Sequence, residues 1–211
     1  GRGKRVEREM EREYDVSREA GKRELILAAA QEVFARRGFH QATVEEVAEV
    51  AGVGKGTVYL YFTSKKELLV ALVEERLKDM KRALEGRLEA VWSATDKLRE
   101  VITLHFEVFS RSRDFLTVVS GDFGDLGREL DERTKEARRG FLDVVEAVIR
   151  EGVRSREFRD IDPRIATYAI EGIISLVAFG WLIRYNEPLT EEHVSQIIDL
   201  CLHGVTRSVS A

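Results

Sequence analysis

Within eight residues, Lys55-Gly56-Thr57-Val58-Tyr59-Leu60-Tyr61-Phe62, the chain gathers an ammonium, a hydroxyl and two phenols. Lys55 has the reach and charge for a guanine edge or a phosphate oxygen. Gly56 lets a backbone come close to a partner. Thr57 brings a hydroxyl and a methyl, both usable against a base edge or a phosphate. Tyr59 and Tyr61 carry phenolic donors suited to phosphate oxygens, although tyrosines at this spacing equally serve packing. Lys65, at the head of the next helical pattern, adds charge to that helix's N-terminus. The chemistry these types offer is recognition of an anionic polymer, not bond breaking.

The elements that must position these groups follow from periodicity and caps. Ile26, Ala29, Ala30, Val33 and Phe34 form a helical stripe in a helix expected from Ser17 to Arg37, with Gly38 as its stop. Thr43, followed three residues later by Glu46, forms a capping box that opens a short second helix. The exposed N–H groups there, with the Thr43 hydroxyl, suit a phosphate oxygen. Gly52 ends that helix and allows a tight turn, and a third short helix runs from about Lys55 to Phe62. Two short helices joined by a glycine turn make a helix-turn-helix, whose second helix fits the major groove of DNA. Ser64 with Glu67 then caps a long helix to about Trp92, and further helices are expected at 95–110, 114–120, 128–155, 163–185 and 190–208. The glycine-rich run Ser120–Gly127 reads as a loop, and residues 1–17 as a flexible charged arm. The fold class is all-α: an N-terminal three-helix helix-turn-helix domain over 18–66 and a C-terminal helical domain over 67–211.

Charge is uneven along the 211 residues. Residues 1–66 hold 13 Lys/Arg against 11 Asp/Glu, and the remainder 21 against 27, within a chain of net charge −4. The N-terminal third is thus mildly basic and the body acidic, which weakly favours contact with DNA by the head. The single cysteine, Cys201, rules out an internal disulfide and fits a reducing, cytoplasmic setting. No apolar leader is visible at the charged N-terminus. The stretch Ile165–Ile183 approaches a membrane span in length, but Glu171 at its centre argues for a buried helix and against a membrane partner. His40, His105, His193 and His203 show no metal-ligand spacing. No phosphate-binding glycine loop or serine elbow occurs, so neither an enzyme nor a cofactor is expected.

The ordered run Ala48-Glu-Val-Ala-Gly-Val-Gly-Lys-Gly-Thr-Val-Tyr-Leu-Tyr-Phe62, then Ser64-Lys65-Lys66-Glu67-Leu68, resembles the signature of tetracycline-repressor-type (TetR) regulators. Ile26-Leu-Ala-Ala-Ala-Gln-Glu-Val-Phe-Ala-Arg-Arg-Gly38 and Thr43-Val44 resemble the family's first helix and second-helix start, so the likeness covers about residues 22–70. The resemblance implies a ligand-responsive repressor that binds a near-palindromic double-stranded operator as a homodimer. It implies DNA contacts at Thr43, Lys55, Gly56, Thr57, Tyr59, Tyr61 and Lys65. Leu60 departs from it, at a place often polar or aromatic in the family. An apolar side chain there either touches a thymine methyl or packs.

The resemblance also implies an effector pocket in the C-terminal domain and dimerisation through the last two long helices. Aromatic and related candidates for the pocket are Trp92, His105, Phe106, Phe109, Phe123 and Tyr168, with Phe115 and Trp181 as further aromatics. Their apolar character points to a lipophilic small-molecule effector, an acyl chain or an aromatic compound. Arg111, Arg113 and Arg128 are cations available to an anionic head group. The dimer candidates are Gly172, Leu176, Phe179, Gly180, Ile198 and Leu202. The competing readings are a helical interaction protein without DNA binding and a corepressor-type regulator.

Overall fold

The computed structural model describes residues 21–113 and 125–204, and the regular elements among them are all helical. The first helix, α1, occupies residues 21–37. Ile26, Ala29, Ala30, Val33 and Phe34 are buried along one face, as their spacing requires. Gly38 stops the helix at φ 75°, and its N–H donates to the Phe34 carbonyl at 2.8 Å. Helix α2, Val44–Ala51, starts from the Thr43 capping box and ends at Gly52, φ 68°. The Gly52 N–H donates to Glu49 O and the Val53 N–H to Ala48 O, so the turn satisfies carbonyls the helix leaves open. Helix α3, Lys55–Tyr61, packs against α2, with Val58 buried inside it and Phe62 buried just after it. Helix α4 is Lys65–Glu89, with the Ser64 hydroxyl accepting the Glu67 N–H at 3.2 Å. The chain divides into two compact units after Leu72, inside α4 rather than at its start.

In the second unit α5 is Ala94–Arg111, α6 Asp125–Arg133, α7 Lys135–Ser155, α8 Pro163–Ala178 and α9 Glu191–His203. Helices α5, α7 and α8 pack on one another, α9 packs on α5, and α6 on α7. Val101, Ile102, Phe106, Val145, Ile149 and Ile174 fill the space between them. The N-terminus of α5 is held twice. Ser93 accepts the Asp96 N–H, and the Glu157 carboxylate accepts the N–H groups of Ala94 and Thr95 at 3.1 and 3.0 Å. Those backbone bonds hold the Glu157 carboxyl below the usual carboxylate range.

Several expected boundaries are corrected. The long helix ends at Glu89, not Trp92, because Ala90 and Val91 tighten onto Arg87 and Leu88 in three-residue steps. The stretch 128–155 is two helices. Thr134, fully buried, leaves helical geometry at ψ 6° and turns its hydroxyl back to Leu130 O at 2.8 Å. Asp125 and Gly127, expected in a loop, lie in α6. The helix at 163–185 changes character, continuing past Ala178 as a π-helical segment, Phe179–Arg184. The last helix, expected to run to 208, ends at His203, where the Gly204 N–H donates to the Leu200 carbonyl at 2.9 Å. The arm 1–17, the expected start at Ser17 and the helix at 114–120 lie outside the described residues.

Candidate nucleic-acid interface and sensing core

The turn at Gly52–Gly54 sets α3 so that Val58 and Phe62 face inward, which leaves Lys55, Gly56, Tyr59 and Leu60 exposed and Thr57 and Tyr61 half-buried. The Lys55 ammonium pairs with the Glu45 carboxylate of α2 and lies 5.8 Å from the Tyr59 ring centroid. The Glu45 hydrogen bond and charge raise the Lys55 pKa, and the same bond lowers that of Glu45. Thr43 accepts the Glu46 N–H at 3.2 Å and turns its own hydroxyl to the Glu46 carboxylate. Arg37 also engages Glu46, at 2.7 Å, and holds its carboxyl low. Lys65 donates to the His40 carbonyl at 3.1 Å with its ammonium 4.7 Å over the Phe39 ring. A Cβ added at Gly56 meets nothing within 4 Å, so the fold itself has no need of glycine there. The surface is therefore a short helix with donors at its edges and bare backbone between them.

Among the described residues the buried polar side chains of the second unit are His105, Thr134 and Thr167, and of these only His105 is ionisable. His105 on α5 is 2% exposed, with its ring against Phe141 and Phe109 at centroid distances of 5.0 and 5.7 Å. Its Nδ1 lies 2.7 Å from the Val101 carbonyl and its Nε2 3.1 Å from Glu171 Oε2 on α8. A carbonyl only accepts, so Nδ1 carries a proton and Nε2 faces a carboxylate that favours a second. Burial, the largest influence, pushes the imidazole toward neutrality. The Glu171 charge and hydrogen bond, with the Val101 carbonyl, outweigh it and raise the His105 pKa above 6.5. The other Glu171 oxygen, Oε1, is buried without a hydrogen-bond partner. A separate open cleft of about 410 Å³ is lined by Arg128, Asp131, Glu132, Lys135 and Arg138. Asp131 and Glu132 oppose its cations, and Asp131 already pairs with Arg138 at 2.8 Å. Among the described residues no cluster could hold a metal ion.

Residues 26–72 match the family model for bacterial regulatory proteins of the tetR family, and residues 91–205 that for the tetracyclin repressor-like C-terminal domain. The chain belongs to the TetR family. It is a DNA-binding transcriptional regulator. A relative in Bacillus subtilis, the fatty acid metabolism regulator protein, is 28% identical over 85% of this chain and 93% of its own. The transcriptional repressor KstR2 of Mycolicibacterium smegmatis is 29% identical over 91% of this chain and 94% of its own. Among solved structures, FadR from B. subtilis in complex with stearoyl-CoA superposes with a TM-score of 0.78 at 28% identity, covering 86% of this chain and 98% of that one. The fatty acid degradation regulator FadR from Bacillus halodurans gives 0.79 at 26% identity, covering 89% and 97%. These relatives are regulators, not enzymes.

In this TetR-family chain the residues expected at the DNA surface lie together on and beside α3. The expected pocket residues do not. His105, Phe106 and Phe109 are buried on α5. Trp92 stands 91% exposed in the turn before α5, and Tyr168 58% exposed on the outward side of α8, so neither lines an enclosed space in the single chain. Trp181 stacks edge-on against Tyr185 and His193. Phe115 and Phe123 lie outside the described residues. Arg111 and Arg128 are exposed, and Arg113 bonds to the Asn186 side chain. Of the expected dimer residues, Gly172 and Leu176 are exposed, Phe179, Gly180 and Leu202 half-buried, and Ile198 buried within its own chain. Ile198 is inward because α9 must cover α5. The sequence reading missed Glu171 as the partner of His105, and Phe141 beside them. A lone carboxylate and a lone histidine stand out on two apolar helices, but nothing in their spacing joins them.

Proposed function

We propose that this regulator is a repressor that binds a near-palindromic operator as a homodimer and leaves it when a long-chain acyl-CoA binds the second unit. The observation that carries the effector class is the likeness, over 86% of this chain, to FadR, whose structure is in complex with stearoyl-CoA. The apolar surroundings of His105, Phe106 and Phe109 support a lipophilic ligand. The first unit is the reading head, with Thr43, Lys55, Gly56, Thr57, Tyr59, Tyr61 and Lys65 as its DNA contacts. Two heads placed about 34–36 Å apart, or a multiple, would meet successive major grooves. The setting is the cytoplasm, and no catalytic step or metal is required.

Dimerisation rests on α8. Ile165, Tyr168, Gly172 and Leu176 recur at helical spacing, and the three large ones are exposed, Leu176 by 74%. An apolar row of this kind needs cover, and a Cβ at Gly172 or Gly180 meets nothing within 4 Å in the single chain. The helix from Pro163 to Arg184 is also long and apolar enough to cross a membrane. A second copy accounts for that apolarity while keeping Glu171 on His105.

The test is a titration of stearoyl-CoA, short acyl-CoA, free fatty acid and CoA alone into the protein bound to a selected duplex. Release by the long acyl-CoA, with DNA weakening acyl-CoA binding by the same factor, is the expected result. Tightening makes the regulator a corepressor type, and unchanged affinity at saturation removes this effector class.

A further inference from the structure

Leu60 has no packing role in its own chain. It is 83% exposed, more than any other large apolar side chain described in the first unit, and it is the sixth of the seven residues of α3. One exposed leucine is ordinary on a protein surface. Its surroundings are what single it out. Gly56, four residues earlier, shares its helix face and leaves bare backbone beside it. Tyr59 and Lys55 flank that face with a phenol and an ammonium, the latter held by Glu45. A helix seated here on DNA through polar groups at its margins brings the isobutyl group of Leu60 to the base edges. There the donors and acceptors of guanine, adenine and cytosine would lose water against it with nothing in return. Thymine alone presents a methyl group in the major groove.

We propose that Leu60 is a specificity-determining residue that reads the C5-methyl of one thymine in each half-site. This rests on α3 being the recognition helix. Thr57 and Tyr61 are less available for the role, because both are half-buried where Leu60 is 83% exposed. The reading is independent of the effector and of what the second unit binds.

The experiment begins with selection from a random-sequence duplex pool by the full-length wild type and by Leu60→Ala. Each thymine of the selected wild-type site is then replaced by uracil, which removes only the methyl. We expect one thymine per half-site whose replacement weakens wild-type binding by about fourfold, the scale of one buried methyl group. Leu60→Ala should bind the thymine site with about the same loss and show no further loss with uracil. Its own selected site should no longer favour thymine there. Because Leu60 is exposed, the variant folds as the wild type does, which circular dichroism checks. A wild type indifferent to uracil at every position overturns the proposal, as does a Leu60→Ala protein that keeps full uracil sensitivity. Failure of the wild type to enrich any sequence overturns the recognition-helix reading itself, and is distinguishable because no site then exists to substitute.

Discussion

Around α3 the polar and charged groups lie at the surface and are held by neighbours close in sequence: Lys55 by Glu45, Thr43 and Arg37 by Glu46. Around His105 the imidazole is shut inside the second unit, the Glu171 carboxylate is half-buried, and the two meet from helices far apart in the chain. The exposed pairs can trade a carboxylate for a phosphate at small cost, since water already screens them. The buried pair cannot be rearranged without leaving a charge in an apolar interior. The pairs of the first unit are open to exchange, and that of the second is held in place.

That contrast is broken most severely at Glu171. Glu171→Ala leaves His105 without its carboxylate and should lower stability by about 3 kcal/mol, measured by denaturant unfolding. Replacing both residues with apolar ones, His105→Leu with Glu171→Met, should recover most of the loss. Wild-type stability in Glu171→Ala would mean that the pair contributes nothing. The pair also sets a pH dependence. The folded His105 pKa is raised above 6.5, so its contribution is full below pH 6.5 and is lost as pH rises through the folded value. Stability should therefore fall on the alkaline side, by no more than about 1.4 kcal/mol per pH unit for one proton. The double variant should be flatter over that range.

A second contrast lies between two glycines. A Cβ at Gly152 would fall 2.1 to 2.7 Å from ring atoms of Phe158. Phe158 also donates its N–H to the Gly152 carbonyl at 2.9 Å, which fixes the approach. Gly152→Ala should cost about 1–3 kcal/mol by overpacking. Adding Phe158→Leu should restore part of it, and no restoration would place the strain elsewhere. Gly56 is the opposite case. Gly56→Ala should leave the fold intact or stabilise it by up to about 1 kcal/mol through helix propensity. It should still weaken operator binding if the backbone approaches DNA there. Gel-shift titration beside a melting curve separates the two effects, and unchanged affinity would remove Gly56 from the interface.

The head was legible because its information is local. Thr43 and Glu46 lie three residues apart, Gly52 sits at the end of the helix it stops, and Val58 and Phe62 share one face. Each rule needs only a few neighbouring residues. The second unit was legible as helices but not as a site. The break at Thr134 depends on a hydroxyl turning back to Leu130, and the same residue types also run through unbroken helices. Tyr168 and Ile198 belong to amphipathic patterns whose inner and outer faces only packing decides. His105 and Glu171 were visible as oddities, but nothing in their spacing says that they meet.

The smallest expected effect sharpens the account of the head. Glu45 holds the Lys55 ammonium in free protein, and both side chains are largely exposed. With Lys55 as the proposed DNA contact, it would leave that carboxylate or share it with a phosphate when α3 meets DNA, and Glu45 would remain as a negative charge beside the duplex. Glu45→Gln keeps the size and removes the charge. Thermal stability should barely change, because the pair is screened by water. Operator binding should tighten at low salt, and its dependence on log salt should steepen by up to about 0.9 per head as Lys55 displaces one more counterion. The gain should fade at high salt, where screening already weakens the Glu45 repulsion. Lys55→Gln in the same background should remove the added salt dependence and leave only the part of the gain that comes from the lost Glu45 repulsion. Identical affinity for wild type and Glu45→Gln at every salt concentration would turn Lys55 away from the DNA and leave its place in the head to the pair with Glu45 alone.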